Sequence, residues 1–113
     1  MITIKYGRDQ SFLLPREDAK QFELFNGMIS DIEVKEVPIP REIPCKAETL
    51  HNIVHLLHFP KELEKLPKQE LFDVIMLCNY LDCRTVLIRA AAHTIRKLNR
   101  MDMKEMRKFF NLQ

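Results

Sequence analysis

Between Leu71 and Leu81 the apolar residues Leu71, Phe72, Val74, Ile75, Met76, Leu77, Cys78 and Leu81 surround a helix instead of lining one side of it. A helix apolar all round must be buried, so this segment is expected to be the central helix of the fold. Asp73, Asn79 and Tyr80 are the exceptions. A core helix cannot hide an amide and a phenol without partners, so Asn79 and Tyr80 are expected to reach the surface or to bond a neighbour. On spacing alone, a simple helix terminus accounts for them as well.

With 113 residues, 46% of them hydrophobic, the chain has material for one core, burying about two-thirds of the unfolded surface. No apolar run approaches the roughly 18 residues of a membrane span, and no charged-then-apolar leader follows Met1, so the expectation is a soluble, intracellular protein. Cys45, Cys78 and Cys83 are odd in number and without paired spacing, which argues against a disulfide framework. Charge is unevenly placed: residues 1–83 carry 10 basic and 14 acidic groups, net −4, whereas 84–113 carry 8 and 2, net +6.

Ile2 and Ile4 alternate with Thr3 and Lys5, and Gly7-Arg8-Asp9-Gln10 separates that run from Ser11-Phe12-Leu13-Leu14, which reads as a β-hairpin stopped by Pro15. From Glu17 to Ile29, Ala19, Phe22, Leu24, Phe25, Met28 and Ile29 recur at helical intervals. Val34 to Ile39 suits a short edge strand, because Pro38, Pro40 and Pro44 lack backbone donors. A helix is predicted from about Lys46 to His58, with Leu50, Ile53, Val54 and Leu57 on its core face, and Lys61 to Lys68 reads as a charged connector. Asp82 is placed to cap the next helix, whose packing surface is Val86, Leu87, Ala90, Ala91, Ile95 and Leu98 and whose end falls near Asn99. Asp102 and Glu105 match a capping box opening a brief last helix with Met106, Phe109, Phe110 and Leu112 as its apolar set. This order predicts an α+β fold, a small three-stranded sheet covered by a helical cluster.

Three stretches, Leu71-Phe72-Asp73-Val74-Ile75, Asn79-Tyr80-Leu81-Asp82 and Arg107-Lys108-Phe109-Phe110-Asn111-Leu112, together resemble the S-phase-kinase-associated-protein family, the small adaptor subunit of SCF ubiquitin ligases. Val37-Pro38-Ile39-Pro40 and Ala19-Lys20-Gln21 are weaker upstream matches. The family is a branch of the BTB/POZ fold that includes elongin C, which resembles the chain only up to about Asp82-Cys83. The resemblance implies a non-catalytic bridge: a BTB/POZ-like body, 1–83, docks on a cullin, and an extension, 84–113, holds the F-box of a substrate receptor, the whole forming one compact unit. Carried over by position, Asn79 and Tyr80 would face the cullin. Ala91, Thr94, Ile95 and Leu98, with Met106, Phe110 and Leu112, would face the F-box. No cofactor, metal, membrane or small-molecule substrate is implied, and the expected location is cytoplasm and nucleus.

The sequence departs from the family in two places. Family members carry a further helix after the position of Leu112, and their acidic insertion before the Val-Pro segment is shortened here, which reads as a divergent or minimal member. The proposed contact also has a physical basis. Met101, Met103, Met106, Phe109, Phe110 and Leu112 crowd a short segment that so small a domain can hardly bury whole, so an exposed apolar patch is expected. Unbranched methionines would let such a patch repack against different receptors. The alternative is that these residues close the base of the core.

Other chemistries fit less well. His51, His55 and His58 share one helical stripe, as a zinc site would need, with Cys45 just upstream, but the stripe lies opposite the core face and lacks a compact ligand pair. Arg84, Arg89, Arg96, Lys97, Arg100, Lys104, Arg107 and Lys108 make a nucleic-acid-binding module the strongest rival class, yet no stacking aromatics or groove-reading motif accompany them. Gly7 and Gly27 are the only glycines, which excludes a glycine-rich phosphate loop. A self-associating BTB scaffold is a second rival.

Overall fold

Ile2, Ile4 and Tyr6 fall on one face of a strand because side chains alternate with a period of two, and all three are buried. This strand, β1 (Ile2–Tyr6), pairs antiparallel with β2 (Gln10–Leu14), Ile2 opposite Leu14 and Ile4 opposite Phe12. Gly7 makes the turn at φ 60, a left-handed backbone that glycine adopts without a Cβ clash. The computed structural model describes residues 1–29 and 34–110. β3 (Glu36–Pro38) runs parallel to β1 on its other side, giving the order β2-β1-β3. As expected, it is an edge strand, where Pro38 can sit without breaking an inner ladder.

The helix predicted over Glu17 to Ile29 is broken in two, α1 (Arg16–Ala19) and α2 (Glu23–Ile29). At the corner the Ala19 carbonyl accepts from Phe22 rather than from Glu23, and the Glu23 N–H instead donates to the Asp82 carbonyl at 3.2 Å. The kink lets Ala19, Phe22 and Phe25 all reach zero exposure. Arg16 braces this region, its guanidinium donating to the Ile29 carbonyl at 2.9 Å and to that of Val34.

α3 (Ala47–His58) buries Thr49, Leu50, Ile53 and Leu56. The predicted face is therefore turned slightly: Val54 and Leu57 are only half-buried, because Leu56 points to Leu63 and Val86 in a crevice with the next elements. The expected charged connector forms a 3-10 helix, Pro60–Lys65, anchored by buried Leu63. α4 (Lys68–Leu81) then crosses the molecule in contact with α2, α3 and α5 (Arg84–Asn99).

Asp82 does not cap α5. It adopts the left-handed conformation, φ 55 and ψ 48, and closes α4, while Cys83 holds the α5 N-cap position without a side-chain bond. Aspartate tolerates that conformation better than most residues, and its carboxylate turns to Arg84 at 3.3 Å. α5 is rooted in the core by Val86 and Ala90 and ends at Asn99. α6 (Met103–Phe109) is capped as the sequence suggests, the Asp102 carboxylate accepting from the Glu105 N–H at 2.8 Å. The molecule is elongated, 52 × 27 × 20 Å, with a radius of gyration of 15.4 Å against about 13 Å for a compact chain of this length. No helix is long and apolar enough to cross a membrane among the described residues.

Candidate functional site

α4 is not buried on every side. Leu71, Val74, Leu77, Cys78 and Leu81 are, but Phe72 and Ile75 are half-buried and Met76 is 54% exposed. Neighbouring helices leave one line of the surface open, and Asp73, Met76 and Tyr80 lie along it at i, i+3 and i+7. With Leu77 they form one wall of a groove of about 210 Å³ whose other wall is Pro44, Lys46 and Thr49, where the chain enters α3. Lys46 reaches Asp73 at 3.8 Å, and the Gln69 amide donates to the same carboxylate at 3.0 Å. Asn79 and Tyr80 are both exposed at the end of this line, so the amide and the phenol meet solvent as their polarity requires. Sequence reasoning missed Met76, which it placed in the core. The signal was its spacing from Asp73 and Tyr80.

The second set lies on α5 and α6. Ile95 is 57% exposed and Phe110 44%, while Ala91, Leu98 and Met106 are half-buried between them and the body. Thr94 is half-buried as well, its hydroxyl donating back to the Ala90 carbonyl of the same helix at 2.9 Å. Leu112 lies outside the described residues. Ile88, not foreseen, is among the most exposed aliphatic side chains and stands two turns before Ile95 on the same side of α5. That interval of seven was the available clue.

Phe109 departs from the exposed patch expected of the terminal segment. It is buried, yet not within the main core: its ring meets Phe72 of α4 edge-on at 5.3 Å, and Phe110 stacks on the same Phe72 at 6.1 Å. Lys68 and Lys97 lie 5.9 and 5.8 Å from the Phe109 ring centre, a cation–π distance worth about 0.5–1 kcal/mol where water has access. The aromatic trio thus pins α6 to the start of α4 and leaves Phe110 and Met103 showing. The terminal segment is part anchor and part open surface.

The two regions differ in charge. Beside the groove, the neighbouring Glu48 carboxyl holds the Glu70 carboxyl above its ordinary range. Around the α5–α6 surface Arg89, Arg96, Arg100, Lys104, Arg107 and Lys108 are exposed. His93, half-buried among Arg96 and Lys97, is held below the usual histidine range, first by burial and then by those cations. The three histidines of α3 lie on its exposed side: the His51 and His55 rings stack at 6.3 Å, and His58 meets the buried Asp18 carboxylate at 2.9 Å. No group of three or more His, Cys, Asp or Glu side chains is arranged to hold a metal ion among the described residues.

No family model matches this chain, and no curated protein matches its sequence.

Proposed function

We propose that the chain is an adaptor of the SCF type, a BTB/POZ-like member of the S-phase-kinase-associated-protein family that bridges a cullin to F-box substrate receptors. The observation that carries this reading is the pair of separate open surfaces on one small body. A polar tip, Asn79 and Tyr80, stands at the end of α4 beside a groove that Tyr80 helps to line, and an apolar surface with basic flanks runs along α5 and α6. A bridge needs two faces that can be occupied together, and these two lie on different helices, one on α4 and the other on α5 and α6.

In this reading Asn79 and Tyr80 contact the cullin, while Ile95 and Phe110, backed by Ala91, Thr94, Leu98 and Met106, receive the F-box, with Leu112 as a further contact. The exposed aliphatic and aromatic side chains give the second face the composition of an interface core rather than of a phosphate-binding surface. That composition favours a protein partner over nucleic acid for the basic end.

The test is selective loss. Ile95→Ala and Phe110→Ala are expected to weaken binding of an F-box fragment by about tenfold each, the effect of losing roughly 1.4 kcal/mol at an interface anchor. Binding of a cullin N-terminal fragment should stay unchanged. Ile95→Ala separates docking from folding because that side chain is mostly in solvent. Equal loss toward both fragments, or toward neither, would remove the assignment of the α5–α6 face.

A further inference from the structure

The end of α4 forms a tight turn in which the N–H of Cys83 donates to the carbonyl of Cys78 at 3.0 Å across the left-handed Asp82. In this six-to-one closure the side chains of the first and sixth residues face each other, and a hydrophobic contact ordinarily fills the place. Here both positions are cysteines. Each is fully buried and each is a free thiol.

We propose that Cys78 and Cys83 form a redox-active dithiol that closes to an intrachain disulfide on reaction with a small two-electron oxidant of the peroxide class. Cys83 reacts first. It stands at the N-terminus of the long helix α5, where unpaired backbone N–H groups favour negative charge, and the neighbouring Cys78 thiol holds it below the ordinary thiol range. Cys78 is held protonated, first by the neighbouring Cys83 and then by burial.

In the first step the Cys83 thiolate attacks one peroxide oxygen; the O–O bond breaks, a sulfenic acid forms and the departing hydroxide takes up a proton as water. In the second, the Cys78 sulfur attacks the sulfenic sulfur; the S–O bond breaks, and the Cys78 proton leaves with that oxygen as a second water. Two thiols lose two electrons and the peroxide gains them. Burial makes the first step slow, so it proceeds on opening of the α4–α5 corner. Cys45 is the internal control, a half-buried thiol that burial pushes up to about 11, hence almost wholly protonated at neutral pH. The ring closed by the disulfide includes Asn79 and Tyr80, although the chemistry stands without the adaptor reading.

Trypsin should release both cysteines in one peptide, Gln69 to Arg84, and Cys45 in another, Glu42 to Lys46. After the folded chain is treated with hydrogen peroxide and remaining thiols are alkylated, the first peptide, with any oxygen on the exposed Met76 assigned separately by fragmentation, is expected to have lost two hydrogens across Cys78 and Cys83 and to carry no alkyl group. That change should precede any oxidation of Cys45. In Cys78→Ala the sulfenic acid on Cys83 should be trapped by dimedone, whereas Cys83→Ala should give no adduct at Cys78. Earlier oxidation of Cys45, oxygen added to Cys78 or Cys83 in place of lost hydrogen, or no reaction of those two cysteines would each overturn the proposal. The unsubstituted protein decides this even if an alanine variant fails to fold.

Discussion

A chain carrying Asn79→Lys and Tyr80→Lys is expected to lose affinity for a cullin N-terminal fragment by about thirtyfold or more, the effect of losing the ~2 kcal/mol that an interface tyrosine contributes. Its thermal midpoint should move by no more than a few degrees. Both side chains are exposed, so the substitutions open no cavity. Lysine also has at least as strong a helix preference as asparagine or tyrosine, and positive charge is favoured at a helix C-terminus. The change is therefore confined to the surface, where two cations replace an amide and a phenol beside the Lys46–Asp73 pair. A pull-down read beside a melting curve separates the outcomes: unchanged binding removes the tip from the interface, and a collapsed melt shows that the pair supports the fold instead.

Phe22→Ala is expected to cost about 3–5 kcal/mol of stability, as removal of a buried aromatic ring does elsewhere. Since a small domain holds only about 5–15 kcal/mol in total, this single change brings the chain near unfolding at room temperature. The ring has zero exposure, lies 6.0 Å from that of Phe25, and fills the corner where α1 gives way to α2. Leu24→Ala, two residues on at a side chain 44% exposed, is the matched control and should change stability by less than about 1 kcal/mol. Urea unfolding of the two variants measures the difference. A loss under about 1 kcal/mol at Phe22 would mean that the corner is not held by this ring.

That corner also shows where sequence reading stops. The residues from Glu17 to Ile29 carry a continuous helical period, and nothing local in them reveals that the Glu23 N–H leaves the helix for the Asp82 carbonyl. The contact exists only once α4 has packed beside the corner. Asp82 is a related case: as an N-cap residue type it pointed to α5, but the geometry of the turn draws it into the left-handed end of α4. The apolar ring of α4 had the same ambiguity, since period alone does not say which sides will gain neighbours, and Met76 was left on the open one.

Features set by short-range rules were legible. Strict alternation and Gly7 gave away the hairpin, and Asp102 with Glu105 marked the start of α6. Of the proposed contact residues, Asn79 and Tyr80 are polar within an apolar helix, so their exposure could be foreseen. Phe109 could not be separated from Phe110 by composition, because which of the two rings is covered depends on Phe72, more than thirty residues away. Ile88 was readable only through its interval to Ile95.

The most direct test of two independent faces is reconstitution of the chain with a cullin N-terminal fragment and an F-box fragment, followed by size-exclusion chromatography with light scattering. The account predicts one species with the mass of all three components, formed only when the chain is present. Mutual displacement of the two fragments, or a chain that elutes alone beside both, would contradict it.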